Sequence, residues 1–60
     1  MEHNIELTKM QERLYKIISN ECSILSTFIT KEYYDFYIQT ENDKILHYRL
    51  YRNSDKYEEI

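Results

Sequence analysis

Sixty residues with a formal charge of −3 exclude more than one domain, and a lone cysteine, Cys22, excludes an intrachain disulfide. The charge also argues against a protein that coats nucleic acid by phosphate neutralisation alone. No apolar run approaches the ~20 residues of a spanning helix, and Met1-Glu2-His3-Asn4 lacks the basic region and apolar core of a secretory signal.

A free thiol without a signal makes the cytoplasm the expected compartment, with no membrane partner. The chain contains no Gly, Pro, Ala, Val or Trp, and it is rich in Ile, Tyr, Asn and Lys. That bias follows codon composition and points to an AT-rich genome, such as a low-GC bacterium or its phage. At this length, apolar burial and the cost of ordering the chain nearly cancel. With no disulfide to help, a homodimer is the expected route to stability.

Leu7, Met10, Leu14, Ile17, Ile18 and Cys22 recur at steps of three and four, the signature of one helix face. Lys9, Glu12, Arg13, Lys16 and Asn20 fall on the opposite side, and Glu12 precedes Lys16 in the favourable order for an exposed pair. Thr8 with Gln11 fits a capping box, and Asn4 is a competing cap. The pattern predicts a helix over about 8–22, with Cys22 a small apolar residue near its end. Ser23 to Thr30 reads two ways. Leu25, Phe28 and Ile29 extend the helical stripe, yet Ile, Thr and Phe favour a strand, and a strand over 24–30 is the expectation.

From Tyr33 onward the alternation is plain. Tyr34, Phe36 and Ile38 alternate with Tyr33, Asp35, Tyr37 and Gln39, and Leu46, Tyr48 and Leu50 alternate with Ile45, His47, Arg49 and Tyr51. Glu41-Asn42-Asp43 supplies turn residues that tolerate left-handed backbone. The two runs predict a hairpin, 33–40 against 44–52. A slip of one residue would send the apolar set to the wrong face. A three-residue loop opposes Ile38 to Leu46, Phe36 to Tyr48 and Tyr34 to Leu50. On the reverse face it opposes Asp35 to Arg49, Tyr37 to His47 and Tyr33 to Tyr51. The tail, 53–60, is polar and expected to fray, with Tyr57 and Ile60 as candidates for docking on the core or a partner. The expected fold is a single α+β domain, 1–60, with one N-terminal amphipathic helix on a two- or three-stranded antiparallel sheet ending in a hairpin.

Without glycine, phosphate-cradling loops and dinucleotide fingerprints are excluded in their usual forms. His3, Cys22 and His47 do not stand at metal-ligand spacings, so no metal and no cofactor are expected. A Cys22–His47 nucleophile pair is conceivable but less favoured than an apolar role for the thiol. Glu12, Glu21, Glu32 and Glu41 are scattered, no small-molecule substrate is indicated, and enzymatic activity is not expected.

The outward hairpin face, Tyr33, Asp35, Tyr37, His47, Arg49 and Tyr51, is the candidate binding site. Tyr and Arg dominate interface hot spots, whereas a solvated sheet also favours Tyr where one side stays wet. The expected function is a non-enzymatic protein-binding or regulatory module that occludes or bridges a partner protein. The alternative is a nucleic-acid-binding regulator using the Tyr-rich strand 44–52, in which Lys44, His47, Arg49 and Arg52 supply charge.

Overall fold

The computed structural model describes residues 2–18 and 22–60. Helix α1, Glu2–Ile18, is followed by strands β1 (Cys22–Ile29), β2 (Tyr33–Thr40), β3 (Ile45–Tyr51) and β4 (Tyr57–Glu59). The strands form one antiparallel sheet in the order β1-β2-β3-β4. The class is α+β, with four strands in place of the two or three expected. α1 lays its apolar stripe on one face: Met10 and Leu14 are buried with Tyr34, Phe36, Ile38 and Leu50, and Leu7, Ile17, Ile18, Cys22 and Ile24 close the margin.

The helix is displaced from the expected 8–22. It starts at Glu2 because its first turns are held from outside the helix. Arg52 donates to both carboxylate oxygens of Glu6, at 2.5 Å and 3.0 Å, and the Tyr34 hydroxyl donates to Glu6 Oε1 at 3.1 Å. The same Arg52 donates to the Thr30 carbonyl at 2.6 Å. The helix ends at Ile18, while Ser19, Asn20 and Glu21, expected to complete it, lie outside the described residues. Cys22 is therefore not a helix residue. It opens β1 opposite Thr40 and packs at the core margin.

The segment that reads two ways in the sequence is a strand, Cys22–Ile29. The two-residue loop Lys31-Glu32 turns it into β2, with Thr30 Oγ1 accepting from the N–H groups of Glu32 and Tyr33 at 3.2 Å and 3.1 Å. Pairing shifts once, between Ile24 and Ser26, so Leu25 forms a bulge. The shift keeps Ile24 opposite Ile38 and brings Thr27 and Ile29 opposite Phe36 and Tyr34, all on the helix side.

The β2–β3 register is the one the sequence dictates. Ile38 opposes Leu46, Phe36 opposes Tyr48 and Tyr34 opposes Leu50. Thr40 donates its N–H to the Lys44 carbonyl at 2.9 Å, closing a loop of three residues in which Asp43 takes a left-handed φ of 62°.

The tail does not fray as expected. Tyr57–Glu59 pairs with β3, Tyr48 opposing Glu59, Arg49 opposing Glu58 and Leu50 opposing Tyr57. Arg13, assigned by periodicity to the solvated side of the helix, explains why. Its guanidinium donates to the carbonyls of Tyr51 at 2.9 Å and Lys56 at 3.3 Å, gripping the β3–β4 turn from the helix.

Phe36 is fully buried at the centre of this core. Phe36→Ala should cost about 3–5 kcal/mol, comparable with the roughly 3–9 kcal/mol total stability of a domain this size, and abolish the cooperative thermal transition. Ile5→Ala, at an exposed helix position, should leave the transition in place. Asp43→Gly should raise the melting temperature, because glycine takes the left-handed conformation without the Cβ penalty.

Candidate functional site

The helix covers one face of the sheet, and β2–β3 pairing assigns the opposite face. Tyr33 opposes Tyr51, Asp35 opposes Arg49 and Tyr37 opposes His47, so all six candidate residues meet on the uncovered side. They are not displayed there as expected. Asp35 is buried and the other five are half-buried, because they lie across the sheet and cover one another.

Asp35 is the hub. Arg49 donates to it twice, Nε to Oδ1 at 2.9 Å and Nη2 to Oδ2 at 3.2 Å, the bidentate geometry that a planar guanidinium favours. His47 Nε2 approaches Oδ2 at 3.4 Å, an electrostatic contact too poorly aligned for a hydrogen bond, and that nitrogen is buried with no other partner. Burial by itself would raise the Asp35 carboxyl. The Arg49 hydrogen bonds and the adjacent cationic and imidazole groups outweigh it and hold the carboxyl below its ordinary value. The same pairing pushes Arg49 upward, so the guanidinium stays charged.

Aromatic rings flank this pair on both sides. The Arg49 guanidinium sits 4.0 Å over the Tyr33 ring, which meets Tyr51 edge-on at 6.0 Å. Tyr37 stacks on His47 at 4.2 Å, and Phe28 of β1 meets Tyr37 edge-on at 5.9 Å. Glu58 of β4, opposite Arg49, accepts from the Tyr51 hydroxyl.

Three further members of this face lie outside the candidate set: alternation puts Ile45 on the outward side and the tail offers Ile60 for docking, but only Phe28 is missed altogether by sequence reasoning. Phe28 is 58% exposed, Ile45 63% and Ile60 61%. Phe28 opposes Asp35 across β1–β2. Ile45 precedes His47 by two on β3, which puts both on one face. The Ile60 N–H donates to the His47 carbonyl at 2.8 Å, extending β4 to bring Ile60 beside His47. They come from three separate segments, and only register connects them. The period of two on β3 supplies the signal for Ile45, and it supplies it for Phe28 once β1 is read as a strand. Nothing local supplies it for Ile60.

The basic residues of strand 44–52 do not form one stripe. Lys44 is exposed in the loop, Arg49 is neutralised by Asp35, and Arg52 is on the helix side with Glu6, its guanidinium 5.4 Å from the Tyr34 ring centre. Cys22 and His47 occupy opposite faces of the sheet. Burial raises the Cys22 thiol, which makes it a poorer nucleophile. Among the described residues, no three His, Cys, Asp or Glu side chains gather as metal ligands, and no helix is long and apolar enough to cross a membrane. No protein-family model, curated protein or solved structure matches the chain.

The Asp35 carboxyl has a definite consequence for acid stability. Its folded pKa is depressed, so it contributes stability above its unfolded value, and that contribution is lost as pH falls through the folded value. The free energy of unfolding should therefore decline below about pH 4, where carboxylates protonate. Asp35→Asn should be less stable than wild type at neutral pH and should flatten that decline. Urea titrations at stepped pH measure both; equal acid slopes in the two proteins would contradict the assignment.

Proposed function

We propose that the chain is a non-enzymatic protein-binding module, and that the uncovered sheet face is where its partner docks. The observation that carries this reading is the exposed apolar rim, Phe28, Ile45 and Ile60, around the stacked Tyr37 and His47. Three large apolar side chains around interlocked aromatics form the kind of patch that excludes water at a contact. The buried charge of the face, Asp35, is already paired with Arg49, and Glu58 accepts from the Tyr51 hydroxyl while its charge stays in solvent, so a partner need not supply a counter-charge to a buried group. The rings are held against one another before binding, which reduces the ordering cost of association. The chain acts by occupying its partner's surface, and the partner presents an apolar, weakly charged patch of matching size.

The nucleic-acid reading has less support. Asp35 and Glu58 share the face with Arg49, and Tyr33, Tyr37 and Tyr51 are each engaged with neighbouring side chains.

Ile45→Lys and Ile60→Lys alter exposed side chains outside the core and should leave circular dichroism unchanged. With the immobilised chain as bait in lysate of the organism that encodes it, a specifically retained protein should bind each variant at least tenfold more weakly than wild type. Undiminished retention by both variants would sink the site. A mobility-shift titration with mixed-sequence single- and double-stranded DNA should show no binding at low salt. Binding that weakens steeply as salt rises would install the alternative.

A further inference from the structure

The two edges of the sheet are built differently. β4 is three residues long and carries Glu58 and Glu59, an edge blunted by shortness and charge. β1 is eight residues, Cys-Ser-Ile-Leu-Ser-Thr-Phe-Ile, with no charge and no proline. Leu25, Phe28 and Ile29 are 49%, 58% and 54% exposed along it. Backbone parity says which of its groups are free. Thr30 donates its N–H to the Tyr33 carbonyl at 2.9 Å, so hydrogen bonding to β2 continues through Phe28 and Ser26, every second residue. The N–H and C=O groups of Thr27 and Ile29 therefore point away from β2, to an edge where no strand among the described residues lies.

We infer that this edge pairs with β1 of a second copy, antiparallel, about a two-fold axis at Phe28. In an isologous contact each outward group must meet an outward group. Centring on Phe28 satisfies this: Thr27 bonds the partner's Ile29, and Ile29 bonds the partner's Thr27. The overlap spans residues 26–30 and leaves the Leu25 bulge outside it. Phe28 meets the partner's Phe28 as a non-hydrogen-bonded pair, the closer of the two kinds. The edge suits its own copy because an uncharged strand sets no like charges opposite one another. Self-pairing of β4 would set carboxylate against carboxylate. The contact covers Phe28 and Ile29 and joins two four-stranded sheets into one of eight. It also brings the Phe28–Tyr37 contacts of the two copies together into one aromatic row across the axis.

Sedimentation velocity from low to high micromolar concentration tests this on the full chain, which should be dimeric. Ile29→Lys places a charge on the edge, and Thr27→Pro removes an N–H that points out of the sheet. Each should give a monomer with unchanged circular dichroism. In a Cys22→Ser background, Phe28→Cys should form an interchain disulfide on oxidation, since a separation of about 4.5 Å between Cα atoms falls within disulfide range. Ser23→Cys, outside the overlap, should not. A wild-type monomer at every concentration overturns the inference, including one that binds a foreign extended peptide at β1. Dimers persisting in both edge variants, or failure of Phe28→Cys to cross-link, overturn it too. The inference shares Phe28 with partner docking but is tested separately from it: Ile45→Lys and Ile60→Lys should remain dimeric.

Discussion

A loop of three residues, closed by the Thr40–Lys44 backbone hydrogen bond and turned by the left-handed Asp43, fixes the register between β2 and β3. Both faces of the sheet depend on it. The register that buries Phe36, Ile38 and Leu50 under α1 also sets Asp35 against Arg49 and Tyr37 against His47 on the other side. A shift of one residue would turn one strand over, burying either the Asp35 carboxylate or the Arg49 guanidinium under the helix without its partner and exposing that strand's apolar set; such unpaired groups are costly to bury. The desolvation cost of that charge adds to the lost apolar burial, so the alternative register is opposed by two large terms at once.

Arginine connects the pieces that apolar contact does not. Arg52 joins the start of α1, through Glu6, to the end of β1, through the Thr30 carbonyl. Arg13 joins the middle of α1 to the turn that launches β4. Arg49 stays within the sheet and neutralises Asp35. In each case a flat multidentate donor satisfies several acceptors at a margin of a core too small to reach them. This places two of the three guanidinium groups on the helix side, and so determines how little positive charge the aromatic face presents.

The parts legible in the sequence are those whose determinants are local and redundant. The hairpin carries alternation on both strands, turn residues between them, and paired chemistry on its reverse face, each pointing to the same register. The helix stripe is equally legible, but its start is not, because Glu6 is held by a residue 46 positions away. β1 is ambiguous because Leu25, Phe28 and Ile29 suit a helical stripe, and the bulge at Leu25 interrupts the alternation that would have identified a strand. β4 leaves almost no signal: Tyr57-Glu58-Glu59 is polar, and its pairing depends on Arg13 and on β3 offering a free edge. The six residues of the candidate face were legible because they lie in the hairpin. Of the rim, Ile45 was legible by the same alternation, whereas Phe28 and Ile60 come from segments that only the tertiary fold brings beside it.

The edge and the face lie at right angles, and this bears on how such a small chain can act. A strand edge recruits through backbone hydrogen bonds that ignore side-chain identity, while a face recruits through the shape and chemistry of side chains. If β1 edges join, the two aromatic faces lie on the same side of one continuous sheet, with Phe28 nearest the two-fold axis and Ile45 and Ile60 farther out. Phe28 is then taken up at the axis, while Ile45 and Ile60 of each copy stay uncovered. A partner with two copies of the matching patch would meet both faces at once, and the second contact would form at the effective concentration set by the first. Bridging and occlusion then differ only in whether the partner presents one patch or two. On the proposed reading, a division of labour between β1 and the Tyr37–His47 face would make either available to a chain of sixty residues.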